Sequence, residues 1–234
     1  MPPMPEMDAD PIQPLAHQTL GARVYATLRE RIMAGQFQPG ERLTLAALAQ
    51  ALGTSAMPVR EALNRLAAEE ALEVLPNKSV RIPVMTRGRF AELVVIRKEV
   101  EGLAILHAAP RMSAALLERL AALEDEFSSQ IALEKPDVNR VIRVNMLLHF
   151  GIYQAAGMPT LCTLIEGLWL RIGPVLNLDI RLRPGRLAIP PAVQAHRAML
   201  RALQAGDGPA AKKALAMDID SAAEWILTGD KLPE

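Results

Sequence analysis

The chain has 234 residues, of which half are hydrophobic and 22% are charged, enough apolar surface for one large or two small domains. The formal net charge is zero, which excludes an unspecific nucleic-acid coat but allows a specific DNA binder with a local basic patch. A single cysteine excludes an internal disulfide framework and a thiolate zinc knuckle. The chain shows neither a signal-peptide pattern nor about 18 successive uncharged apolar residues, so we expect a cytoplasmic protein without a membrane partner.

The chain changes character near residue 18. Residues 1–17 carry five prolines and little apolar periodicity, which predicts a flexible tail. Apolar side chains then recur every fourth residue, as on one face of a helix: Leu20, Val24, Leu28 and Ile32. Gly35 and the pair Pro39-Gly40 end this first predicted helix.

Two shorter helices and a hairpin follow. Thr44 and Ser55 are predicted to cap the two helices, and the sequence Leu-Gly-Thr-Ser joins them. Three helices followed by a β-hairpin wing predict a winged helix-turn-helix domain over residues 18–84. Its later elements are predicted as helices over 44–52 and 56–68 and strands over 72–75 and 80–82.

The remainder of the chain has a helical period throughout. Prolines and glycines break it into six segments, and no strand signal appears after Pro83. We therefore expect a mainly α protein whose residues 85–234 form an all-α bundle that senses a ligand and dimerises. The six helices are predicted over 86–109, 112–133, 137–156, 159–178, 190–205 and 208–229.

The third helix carries the candidate DNA-reading side chains. Arg60 and Asn64 lie four residues apart on its polar face, and these residue types bind guanine and adenine at their major-groove edges. Ser55, at the helix N-terminus, suits a phosphate. Lys78, at the wing tip, is placed to reach a phosphate or the minor groove.

The same pattern also fits a plain three-helix subdomain. In that alternative Arg60 and Arg65 are solvated, or they pair with Glu61 and Glu69. The order of helices and a glycine turn leave the two alternatives about even.

Three sequence blocks in this domain resemble the GntR family of bacterial regulators. They are the runs GQFQPGERL at 35–43, LGTS at 52–55 and PVREALNRL at 58–66. The helical half resembles the FadR-type branch with its FCD effector domain, so the resemblance covers nearly the whole chain. It implies a dimeric, operator-binding regulator, often a repressor that a metabolite releases from DNA.

Two positions depart from the family pattern. After Ser55 the family usually has Arg-Thr, where this chain has Ala56 and Met57. The wing turn usually has glycine, where this chain has Ser79. Both departures bear on which operator sequence is read.

A set of polar side chains marks the helical half. His149 follows Asn145 by one helical turn, so both project from the same face. His196 and Asp220 lie on two later predicted helices, and such ligands can converge inside a bundle. From the residues alone, a buried and hydrogen-bonded core histidine is the more common outcome.

The resemblance implies a metal site. Many FCD domains hold a divalent ion through an aspartate, a histidine four residues later and two histidines on later helices. Asn145 stands at the aspartate position, His149 and His196 match two histidines, and Asp220 is aligned with the last one. We predict that a zinc, nickel or manganese ion binds His149, His196 and Asp220. Asn145 is predicted either as a weak fourth ligand or as a residue that contacts the ligands without binding the ion.

Arg97 is the candidate effector ligand. It stands one helical turn before Glu101, at the family's Arg-x-x-x-Glu position. An inward arginine is costly unless paired, so it either pairs with Glu101 or binds a ligand carboxylate bidentately. The resemblance implies small organic acids, including sugar acids, that bridge the arginine and the metal.

Two other functions compete with a DNA-binding regulator. A metal-dependent helical-bundle enzyme would use His149, His196 and Asp220 around an ion with an open position. A pure protein-interaction module would leave the helix-turn-helix blocks unexplained.

Overall fold

The computed structural model describes residues 19–76, 79–182, 191–228 and 232–234. The predicted tail, residues 1–17, and Lys78 lie outside the described residues. The first domain contains three helices and a small antiparallel sheet, which confirms the winged helix-turn-helix. Its elements are α1 (Leu20–Met33), β1 (Arg42–Leu43), α2 (Leu45–Ala51), α3 (Ala56–Ala68), β2 (Glu73–Val74) and β3 (Val80–Arg81).

Side-chain caps begin the first two helices. The hydroxyls of Thr19 and Thr44 accept hydrogen bonds from backbone N–H groups at the starts of α1 and α2, each at 3.2 Å. Ser55 occupies the same position before α3, but its side chain makes no capping bond. Leu28 on α1 and Leu66 on α3 are fully buried where these two helices pack together.

The sheet has one strand more than the sequence predicts. Its order is β1-β3-β2, with both pairs antiparallel, and the Arg81 guanidinium pairs with the Glu73 carboxylate across β3 and β2 at 2.6 Å. Strand β1 is only two residues long, Arg42–Leu43, so its sequence cannot show the alternation by which a strand is predicted. Burial of Leu43 anchors it to the domain core.

The second domain is all helical over its described residues, as predicted. A 3-10 turn (Ala109–Arg111) follows the first helix. The helix that begins at Pro159 continues through Pro174 and ends at Leu182, four residues past the predicted end at 178. The helices are α4 (Arg87–Ala108), α5 (Ala114–Ile131), α6 (Val138–Ala155), α7 (Pro159–Leu182), α8 (Pro191–Gln204) and α9 (Gly208–Leu227).

Helix α7 joins the two domains. Its residues 159–178 are long and apolar enough to cross a membrane by length and composition, with a mean hydropathy of 1.3, and half of that window is buried inside the protein. The window contains Glu166, which pairs with Arg29 of α1 at 2.9 Å, and Arg171, which pairs with Glu70 at 3.3 Å. These contacts are those of a core helix packed between two domains.

The carboxyl end of α1 is capped by side chains from α7. The Asn177 amide donates to the carbonyl oxygen of Met33 at 2.6 Å, and the Arg181 guanidinium donates twice to that of Ala34, at 3.0 and 2.9 Å. The last carbonyls of a helix have no partner within the helix and carry partial negative charge, so an amide and a cation stabilise this end.

Two glycines allow this close approach. A Cβ atom at Gly173 of α7 would lie 2.4 Å from the carbonyl oxygen of Met33. Gly35 has a φ of +62°, and a Cβ there would lie 2.8 Å from the Cβ of Asn177. Any larger residue at Gly173 would therefore push α7 away from α1.

Candidate functional site

Three side chains from three helices converge inside the second domain. His149 of α6, His196 of α8 and Asp218 of α9 bring their ligand atoms within 4.8 Å of one another. The two Nε2 atoms are 3.3 Å apart, and each lies close to an Asp218 oxygen, at 3.5 Å from His149 and 3.6 Å from His196. Both imidazoles are 1% exposed.

Hydrogen bonds on the far side of His149 fix its tautomer. The Tyr153 hydroxyl donates to the Glu101 carboxylate at 2.5 Å, so its oxygen is left to accept from Nδ1–H of His149 at 3.1 Å. The Nε2 atom of His149 therefore carries a lone pair.

A buried carboxylate holds Nδ1–H of His196 in the same way. Glu124 of α5 is 2% exposed and accepts from Nδ1–H of His196 at 2.9 Å, and it also accepts from the Ser128 hydroxyl at 2.7 Å. In the neutral ring, Nε2 of His196 is thus an acceptor too. With both rings neutral, two lone pairs and the Asp218 carboxylate face one another, which is unfavourable unless a proton on His196 or a metal cation lies between them.

Burial and neighbouring charges shift the titration of the cluster. Burial, with the positive charges of His196 and Arg97, holds the pKa of His149 well below its usual value. Burial also lowers the pKa of His196, but Asp218 and Glu124 outweigh it, so that pKa is raised. Burial raises the pKa of Asp218. The neutral His149 ring is in the form that binds a metal.

The donor set fits a divalent ion. Two bonds of about 2.1 Å at a tetrahedral angle place their donor atoms about 3.4 Å apart, close to the separations of 3.3, 3.5 and 3.6 Å seen here. Two imidazoles and one carboxylate are a common three-ligand set for such ions, and they leave an open position for a ligand oxygen.

The prediction that Asp220 belongs to this site was wrong. Its side chain is 54% exposed, and its carboxylate pairs with Lys98 on the outside of the domain at 2.8 Å. Two residues along a helix are about 200° apart, so Asp218 and Asp220 point in opposite directions. Asp218 follows buried Ala211 and Leu215 at helical spacing, and this pattern was the signal in the sequence that identifies the inward carboxylate.

Asn145 lines the same cavity as His149 and is half-buried. The described residues offer it no hydrogen bond. A role for Asn145 as a metal ligand or as a partner behind the ligands stays a prediction.

Arg97 makes the structural pair and also faces the cavity. Arg97 is 5% exposed, and its guanidinium bonds Glu101 side-on at 2.5 and 3.3 Å and lies 4.9 Å from the centre of the Trp169 ring. The Trp169 indole donates to the same Glu101 carboxylate at 3.1 Å. The desolvation of Arg97 lowers its pKa, but Glu101 outweighs this and raises the pKa.

The sequence reasoning missed the residues behind the ligands. Tyr153 stands one turn after His149, so its place on the same helical face was readable from the spacing. Glu124 lies in the buried stripe of α5, between Leu120 and Phe127, and a carboxylate in such a stripe signals a buried partner. The sequence does not indicate that this partner is His196.

A cavity of about 400 Å³ opens beside the cluster. Arg97, Asn145, His149 and Asp218 contribute polar groups, and helices α5 to α9 contribute most of its apolar wall. Asn177, which caps α1, also lines it.

The candidate DNA-reading side chains lie together on the surface of α3. Ser55, Arg60 and Asn64 are exposed, and neither Arg60 nor Asn64 has a hydrogen bond or ion pair with a described residue. Arg65 differs, because it pairs with Glu69 at 3.2 Å and lies 3.7 Å above the Tyr25 ring. Arg65 is thus paired as in the structural alternative, whereas the exposure of Arg60 fits both that alternative and a contact with DNA.

Comparisons with known sequences and structures agree with this arrangement. Residues 20–82 match the family described as bacterial regulatory proteins, gntR family, and residues 92–221 match the FCD domain. The HTH-type transcriptional regulator McbR of Escherichia coli (strain K12) is 34% identical over 203 residues, covering 86% of this chain and 90% of that protein. A probable D-xylose utilization operon transcriptional repressor of Paenarthrobacter nicotinovorans is 26% identical, with 86% of each chain covered.

Solved structures give the same picture. E. coli McbR/YncC superposes with a TM-score of 0.85 at 30% identity, covering 91% of this chain and 99% of that one. A putative GntR regulator from Rhodococcus sp. RHA1 superposes with a TM-score of 0.72 at 25% identity, with 90% and 99% covered. These relatives are transcriptional regulators, which leaves the enzyme alternative without support. Both domain matches and a relative of nearly full length agree with the winged-helix and helical architecture. The chain therefore belongs to the gntR family of bacterial regulatory proteins and is a DNA-binding transcriptional regulator with an FCD effector domain.

Proposed function

We propose that this regulator is a repressor that binds a near-palindromic operator in the cytoplasm as a homodimer, and that a small carboxylate in the helical domain controls its affinity for DNA. One observation supports the control of DNA affinity by a ligand: Asn177 lines the cavity and also caps α1 of the winged-helix domain. The naming of one relative as a repressor supports the sign of regulation. In this proposal residues 1–17 are a tail, 18–84 bind DNA, and 85–234 sense the ligand and dimerise.

The DNA-binding surface is proposed to centre on α3. Arg60 and Asn64 read base edges in the major groove, Ser55 binds a phosphate at the start of the helix, and Lys78 reaches the backbone or the minor groove. Ser55 is exposed and its hydroxyl makes no capping hydrogen bond, so it is available for such a contact.

Retention of genomic DNA tests the function as a whole. Sheared genomic DNA is passed over the immobilised full-length protein at about 150 mM salt, where unspecific phosphate contacts are weakened, and the retained fragments are sequenced. We expect a recurring site with two half-sites about one helical turn apart. Retention that is uniform across sequences contradicts the proposal.

A divalent ion such as zinc, nickel or manganese is proposed to bind His149, His196 and Asp218. The facing lone pairs and the separations within the cluster support it. When bound, the ion offers a Lewis-acidic position to a ligand carboxylate, and Arg97 is placed to hold the same ligand. Asn145 is proposed either to bind the ion weakly or to contact the residues that bind it.

The effector signal is proposed to pass through α7. Leu176, Asn177 and Ile180 line the cavity, and Asn177 and Arg181 hold the last carbonyls of α1. A ligand that shifts α7 would also shift α1, because α7 caps its last turn. Helix α1 in turn packs on the DNA-reading helix α3.

Replacing Gly173 by alanine is expected to disrupt this contact between α7 and α1. The new methyl group would meet the Met33 backbone, and such overpacking costs about 1–3 kcal/mol. Gly167→Ala, in the same helix, is the matched control because a Cβ there meets nothing within 4 Å. That variant should gain about 0.5–1 kcal/mol from helix propensity. Urea unfolding of both variants measures the difference, and equal midpoints would argue against a tight junction.

The dimer is proposed to use α4. Val95, Ile96, Leu103 and Leu106 are 59, 36, 42 and 36% exposed, and their spacing places them along one helical face. Apolar side chains grouped on one helix favour burial against a second copy.

Leu103→Glu is expected to convert the dimer to a monomer, because it would bury a carboxylate in that interface. Operator affinity should fall at least about tenfold, since one DNA-binding domain makes few phosphate contacts. Leu147→Glu, on α6, is the matched control because Leu147 is 44% exposed against 42% for Leu103. Light scattering gives the mass of each variant. A dimeric Leu103→Glu protein would place the interface elsewhere.

A further inference from the structure

We infer that the cavity of the helical domain takes a monocarboxylate with an elongated, apolar body, in the class of medium-chain aliphatic acids. A polyhydroxylated sugar acid, which the family resemblance implies, fits it poorly. This inference rests on the proposed function, because it names the class of effector.

The polar side of the cavity suits one carboxylate. Arg97 bonds Glu101 through Nε and Nη2, and its Nη1 has no hydrogen bond to a described residue. Arg97 lines the cavity beside His149 and Asp218, and we expect the free edge of its guanidinium to face a ligand there. Such an edge binds a carboxylate with two parallel hydrogen bonds.

The cavity is long and its far part is apolar. On α6 it runs from His149 back to Val141, eight residues or about 12 Å along the helix axis. Val141, Ile142 and Phe127 there are 0, 2 and 2% exposed. Ile180 of α7 packs against the same apolar cluster. An extended hydrocarbon chain matches this surface.

Three polar side chains along the described wall already donate hydrogens within the protein. Ser221 donates to the Asp218 carbonyl, Thr228 to the Glu224 carbonyl, each at 2.8 Å, and Asn177 to Met33 at 2.6 Å. A sugar acid would bury several hydroxyls with few partners, and each unpaired polar group costs binding free energy. A hydrocarbon has no such cost.

Calorimetric titration of the zinc-loaded full-length protein with butyrate, hexanoate, octanoate, D-gluconate and 1-octanol tests the inference. Each buried methylene strengthens binding about fourfold, so we expect about a fifteenfold gain for each two-methylene step from butyrate to octanoate. Octanoate should bind at least about tenfold more tightly than gluconate or octanol. Ala192→Phe adds bulk to the cavity wall, and it should weaken octanoate while leaving butyrate little changed.

Three results would overturn the inference: gluconate binding as tightly as octanoate, no gain with chain length, or no binding by any of the acids. Sequence-specific retention of genomic DNA, measured on the same preparation, reports separately on the proposed function. Intact retention with any of these three results refutes the ligand class alone. Loss of specific retention refutes the regulator proposal itself.

Discussion

Asp218→Ala is expected to remove the metal site, whereas Asp220→Ala leaves it intact. Asp218 supplies the only carboxylate among the three described ligands within 4.8 Å, and its loss leaves two imidazoles with no charge to offset a buried ion. Asp220 points outward to Lys98, and such an exposed pair contributes about 0–1 kcal/mol to stability. The two variants therefore make the same chemical change on opposite faces of α9.

Elemental analysis after zinc, nickel or manganese loading and dialysis measures the difference. The wild type and Asp220→Ala should retain about one ion per chain. Asp218→Ala should retain less than about a tenth of that, because a three-ligand site loses most of its affinity for the ion when one ligand is removed. Circular dichroism checks that each variant is folded. If both variants retain equal metal, or if the wild type retains none, the site is not a metal site.

Arg60→Ala is expected to weaken operator binding by about 1–3 kcal/mol, a loss of roughly 5- to 150-fold. Arg60 is exposed on α3 and makes no bond with a described residue, so the substitution removes a DNA contact without disturbing the fold. Base preference should relax at one position of each half-site.

The control is Arg119→Ala, which removes the same charge from an exposed position on α5. Gel-shift titrations at one salt concentration compare the two variants on the native operator and on operators altered at single base pairs. Equal affinities for the two variants, or an unchanged base preference in Arg60→Ala, would show that Arg60 does not read the sequence.

Elements with a local signal were predictable from the sequence. Apolar residues at helical spacing and breaks at proline or glycine identified α1, α3 and the helices of the second domain, because the period of a helix is written in successive residues. The same holds for the exposure of Arg60, which lies outside the buried face that contains Leu63 and Leu66. Strand β1 carried no such signal, since two residues have no period.

The site depended on contacts between helices far apart in the chain. Which aspartate of α9 faces inward, which carboxylate holds His196, and which side chains cap α1 are set by how the helices rotate and pack against one another. Glu124 and His196 are 72 residues apart, and Asn177 and Met33 are 144 apart. The sequence by itself determined the helices, the helix-turn-helix and the two histidines, because these follow from local spacing and residue type. Only the tertiary structure decided that Asp218 completes the cluster and that α7 links the cavity to α1, because helix rotation and close backbone approach depend on packing against partners distant in sequence.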